Sequence, residues 1–194
     1  MLKTLLSYLP HDYAPFFRGL HISIALLISL QIINSNFIDA DALSESGGTA
    51  LMTWLHVISG SLLLVSGLIL LAWMISQRGI RWYYTWAFLD FKQIKADILQ
   101  LLQLSLPPSS KGSIAATIQG LGVASLLLVA ASGSAWFAAE ILFPSLSAYS
   151  ELFLHWHKFL TTFIEIYFYA HGFMGVTHIF LRNKKHTADL TSAE

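Results

Sequence analysis

Four stretches of this chain stay apolar for about twenty residues or more, the length a helix needs to cross a hydrocarbon core about 30 Å thick. They cover approximately residues 16–37, 50–75, 114–143 and 152–181. A backbone surrounded by lipid must satisfy its own N–H and C=O groups, so segments of this kind predict helices. With 55% hydrophobic and only 11% charged residues, and a mean hydropathy of +0.61, the composition fits a membrane protein better than a soluble domain. The expectation is an all-α membrane protein, a single domain over residues 1–194 built as a four-transmembrane-helix bundle.

The basic residues set an orientation. Lys3 and Arg18 precede the first span, and Arg78, Arg81, Lys92, Lys95 and Lys111 lie between the second and third. Arg182, Lys184 and Lys185 follow the fourth, which leaves Lys158 alone on the other side with Asp39, Asp41, Glu45 and Glu151. The positive-inside rule then puts both termini in the cytoplasm. Residues 1–20 do not read as a cleaved signal, because Pro10 interrupts a short apolar run. Residues 82–104 begin with an aromatic cluster and continue with Phe88, Phe91, Ile94, Ile98 and Leu101 at helical spacing, against Lys92, Lys95, Asp97 and Gln100. That pattern predicts an interfacial amphipathic helix between spans two and three, in contact with membrane lipid. No nucleic-acid partner is expected.

Chemistry concentrates in the histidines, since an ionisable residue within a membrane span is costly and usually functional. The fourth apolar stretch holds His155, His157, His171 and His178 of the eight in the chain. His157 and His171 are fourteen residues apart, within about 40° of the same helix face and separated by roughly 21 Å along the axis. His155 lies about 160° from His171 and reads as an interfacial residue beside Trp156. His21 matches the depth of His171, and His56 matches that of His157, so two pairs form, one near each face. Two imidazoles from neighbouring helices meet the axial requirement of a six-coordinate b-type haem. Zinc fits less well, because its sites take three or four protein ligands. Cysteine is absent, which excludes disulfides, Cys-ligated clusters and covalent C-x-x-C-H haem attachment.

Small residues at Gly60, Gly67, Ala116, Gly120, Gly122, Ala124 and Gly133 suit either close helix packing or room for a flat cofactor. Arg18 and Lys158 are candidate partners for haem propionates, though Arg18 serves equally as a topology signal and Lys158 as a snorkelling residue. Glu165 falls in mid-span and reads either as a proton carrier or as a neutral hydrogen-bonding group.

The motifs R-G-L-H at 18–21, W-L-H-V-I-S-G at 54–60, and H-K-F-L at 157–160 followed by H-G-F-M-G-V-T-H at 171–178 resemble the bacterial cytochrome b561 and nickel-hydrogenase b-type cytochrome family over essentially the whole chain. The resemblance implies two non-covalent haem b groups, one held by His21 and His171 and the other by His56 and His157. It further implies transmembrane electron transfer, an exchange with the quinone pool in which His178 contacts a quinone, and a redox partner protein or small redox molecule. Two features depart from the family pattern: Ile22 rather than an aromatic residue follows His21, and the 82–112 connection is long. Two other readings remain open at this point. One is a membrane-anchor cytochrome subunit of a larger dehydrogenase or hydrogenase. The other is a haem-free four-helix protein whose histidines serve packing, metal transport or proton passage.

Overall fold

The computed structural model describes residues 15–39, 47–103, 105, 107 and 109–191, with side chains as far as residue 177 except that of Pro144. Among these residues every regular element is helical. Helix α1 (Pro15–Asn34) runs into a 3-10 turn at Ser35–Phe37, and α2 spans Gly48–Arg78. The connection to the next long helix contains α3 (Ile80–Tyr83), a 3-10 turn at Thr85–Phe88 and α4 (Lys92–Leu102). Helix α5 (Ile114–Phe137) ends in a π-helical turn at Ala138–Leu142, and a 3-10 segment leads into α6 (Ser150–Thr191).

Among the described residues three segments, Pro15–Phe37, Gly48–Arg78 and Ile114–Leu142, are long and apolar enough to cross a membrane. Helix α6 is the longest at 42 residues, yet His155, His157, Lys158, Glu165 and His171 interrupt its apolar run and it does not join that group. Its ten residues beyond 181 extend it past the end the hydropathy pattern suggests. At 1.5 Å per residue the helix is roughly 63 Å long, twice the hydrocarbon thickness, so one end must project into water if it spans.

The long helices pack in succession, α1 on α2, α2 on α5 and α5 on α6, and the core lies between them. Ile24 and Ile28 of α1, Leu63, Leu70 and Met74 of α2, Val123 and Leu126 of α5, and Ile164 of α6 meet there. Glycines set the close approaches. A methyl group on Gly122 would overlap the Tyr167 ring, and one on Gly67 would come within 3.0 Å of Leu127. Gly120 is similarly close to Tyr83, at 3.0 Å. Of the small residues noted in the sequence, these three serve packing.

The 82–104 connection is not one continuous helix. It folds back onto α5 instead: Tyr83 is buried, the Tyr84 hydroxyl donates to the Gly120 carbonyl at 2.8 Å, and the Gly112 amide donates to the Trp82 carbonyl at 2.9 Å. Leu89, at φ 58°, takes the left-handed conformation that separates the aromatic turn from α4. Asp97 is likewise not on an outer polar face. It is 1% exposed, and its carboxylate accepts from the Gln93 amide and the Ile114 backbone N–H, both at 2.8 Å. Ser113 accepts from Ala116 N in the same turn, so the first turn of α5 is capped from two sides. The leucines of α4 face outward instead, with Leu99 63% and Leu102 75% exposed.

Candidate functional site: two histidine pairs

Helix α6 carries one member of each pair, and the partners come from two different helices. His157 faces His56 of α2 with ring centres 6.1 Å apart, and His171 faces His21 of α1 at 6.0 Å. A metal–imidazole nitrogen bond is about 2.0–2.1 Å, and the ring centre lies about 1.1 Å further, so imidazoles on opposite sides of one ion sit roughly 6.2 Å apart. Both pairs have the separation that a shared axial metal requires. His155 contacts Trp156 and stays exposed, apart from both pairs.

The His56–His157 pair borders a cavity of about 710 Å³ between the four long helices. That volume falls in the range of cofactor and ligand sites. Gly60 and Gly133 line it, unlike the packing glycines. A methyl on Gly133 would lie 2.9 Å from two atoms of the His157 ring, and one on Gly60 would lie 3.3 Å from the Gln31 amide nitrogen. Bulk is missing where a flat group between the helices needs it to be.

The local hydrogen bonds leave one ring nitrogen of His157 free to act as a donor atom. Its Nδ1 lies 2.9 Å from the Val129 carbonyl, which can only accept, so Nδ1 carries the proton and Nε2 keeps a free lone pair. Such a bond from the far nitrogen orients a metal-bound imidazole and raises its basicity. Opposite, His56 Nδ1 is buried without a hydrogen-bond partner among the described residues. Gln31 holds the backbone at that level: its amide donates to the His56 carbonyl at 2.9 Å and to Ser59 Oγ at 2.8 Å. One turn further, Asn34 donates to the Met52 carbonyl at 2.8 Å. These two amides tie α1 to α2 beside the site. Polar residues inside an apolar span were the sequence signal that could have singled them out.

The second pair is braced by aromatic rings one helical turn away. Phe17 stacks on His21 at 6.2 Å, and Tyr167 stacks on His171 at 5.1 Å, both nearly parallel. Tyr167 is itself seated on Gly122, so packing between α5 and α6 fixes the ring that fixes His171. No group of three or more His, Cys, Asp or Glu able to hold a metal occurs among the described residues. Each site therefore offers two imidazoles, the donor set of a haem with both axial positions filled.

A family model described as prokaryotic cytochrome b561 matches residues 12–192 of the 194. The chain belongs to the prokaryotic cytochrome b561 family. Comparison with curated proteins and with solved structures returns no match. Membership of the cytochrome b561 family makes this a membrane protein of transmembrane electron transfer through b-type haem. A haem-free transport or structural role is therefore set aside. The donor chemistry, the ring separations and the glycine-lined cavity all fit that cofactor. Lys158 lines the cavity beside His157. Arg18 is half-buried, three residues before His21. The side chain of His178 lies outside the described residues.

Proposed function

We propose that the chain holds two haem b groups, one between His21 and His171 and one between His56 and His157, and passes electrons from one membrane face to the other. The observation that carries this reading is the pair of cross-helix imidazole contacts, 6.0 and 6.1 Å between ring centres. Fourteen residues separate the two ligands on α6, roughly 21 Å of helix, which spans most of a hydrocarbon core. Bound haem supplies a one-electron ferric/ferrous couple, and two in series carry charge across the bilayer. The four imidazoles would hold the two groups, two to each, and the chemistry supplied there would be electron transfer rather than binding of substrate. His157, with Nδ1–H committed to Val129, is the more basic ligand and favours the ferric state at its site.

Helix α6 acts as the fourth span in this reading, with both termini in the cytoplasm of a bacterial inner membrane. Arg18 and Lys158 serve the propionates of their respective sites. Helix α4 lies on the cytoplasmic surface with Leu99 and Leu102 in lipid, which their exposure supports. The electron partner at the cytoplasmic side is the quinone pool, with His178 contacting the quinone, and a soluble redox protein or small molecule serves the other side. Two assays test these assignments. Protein purified in mild detergent is expected to carry two b-type haems per chain, and one per chain would refute the paired sites. Quinol is expected to reduce wild-type haem rapidly and His178→Ala slowly; equal rates would remove His178 from the quinone site.

A further inference from the structure

Glu165 has no role in ligating or bracing either pair. It is half-buried on α6 and lines the same cavity as His56 and His157, with no hydrogen bond or ion pair among the described residues. A carboxyl at this depth in a membrane helix is expensive to retain without a use. Its neighbours along α6 form a sequence of their own. Glu151, Lys158 and Glu165 recur every seven residues, about 20° from one another, with Thr161 between the last two. All four line the cavity, so a polar stripe leads from its mouth, at Asp39, Glu151 and Lys158, inward to Glu165. Thr161 donates its hydroxyl proton to the His157 carbonyl at 2.8 Å, which leaves its oxygen able to accept.

We infer that Glu165 is a proton-binding site coupled to the haem held by His56 and His157, filled through the polar stripe on α6; this rests on the two-haem reading above. One-electron reduction of a haem held by His56 and His157 would remove one positive charge from this site. The Glu165 carboxylate then takes one proton from water at the cavity mouth and becomes the neutral acid. Reoxidation returns the proton by the same route. The remaining titratable groups facing the cavity are Asp39 from the segment after α1, His56 from α2, and Glu151, His157 and Lys158 from α6; the lining residues of α5 contribute none.

Eight residues place Glu165 roughly 12 Å along the helix from His157. At that distance, with an effective dielectric of about 20, one unit charge changes proton affinity about tenfold. Linkage is reciprocal, so protonation changes the reduction equilibrium by the same factor, about 59 mV for a one-electron couple. Reduction binds a proton, so the midpoint of this haem falls as pH rises through the window and levels off on either side.

The test is a redox titration of the purified holoprotein across pH, followed optically, on wild type, Glu165→Gln and, as a carboxylate outside the cavity, Glu140→Gln. The expected result is a tenfold pH-dependent shift of one haem in wild type and Glu140→Gln, absent in Glu165→Gln with both haems retained. A shift that persists unchanged in Glu165→Gln overturns the proposal. Should that variant lose haem, infrared difference spectra of wild type decide the matter. Reduction should produce a new carboxylic-acid carbonyl band that moves on ¹³C-glutamate labelling, and no such band overturns the proposal. Colourless wild-type protein would refute the haem reading itself, whereas two haems with pH-independent midpoints would refute only the coupling.

Discussion

His157 donates to a backbone carbonyl, so no change of side chain at Val129 removes the bond, and the sensitive neighbour is Gly133. In Gly133→Ala the new methyl meets the ring at 2.9 Å, and the imidazole is already held at Nδ1. We predict loss or a large potential shift of one haem, the other retained, with destabilisation of about 1–3 kcal/mol. Gly67→Ala is the contrasting case, since its new contact is the mobile end of Leu127 at 3.0 Å. Haem absorption should be unchanged there and thermal stability nearly so. At this scale the two cross-helix histidine contacts were legible in the sequence because phase and depth are properties of one helix. The partners Gln31 and Val129 were not. Their roles depend on which atoms α1 and α5 bring to α2 and α6, and a backbone carbonyl carries no sequence signature at all.

Helix α5 begins where Asp97 of α4 accepts from the Ile114 amide. Asp97→Ala would leave that N–H and the Gln93 amide unpaired in a buried place, at about 1–3 kcal/mol. The expected outcome is a lower unfolding temperature and faster proteolysis within residues 79–112, with both haem spectra intact. Loss of a haem in that variant would mean that the cap also positions ligands. The amphipathic pattern located α4 but misassigned Asp97 to its outer face, because docking on the start of α5 takes the carboxylate inward. Its leucines face outward and its carboxylate faces the protein. The break at Leu89 was equally hidden, since it follows from Tyr83 and Tyr84 docking on α5 rather than from any turn residue.

At the scale of the whole molecule, the helices with uninterrupted apolar runs declare themselves, whereas the run of α6 is broken by the groups to which the proposal assigns roles: His157, Lys158, Glu165 and His171. Whether it spans is open to direct measurement, because the chain has no native cysteine to block. With single substitutions Lys92→Cys and Glu151→Cys, a membrane-impermeant maleimide should label position 151 on spheroplasts and position 92 only on inverted vesicles. Labelling of both from one side would contradict the topology. The central claim is that α6 is shared by two haem sites with partners on different helices. It is tested by reduced-minus-oxidised spectra with haem quantified per chain in wild type, His21→Ala, His56→Ala, His157→Ala and His171→Ala. The account predicts two haems in wild type, the same haem lost from His21→Ala and His171→Ala, and the other lost from His56→Ala and His157→Ala. A crossed pattern, in which His21→Ala and His157→Ala lose the same haem, would contradict it.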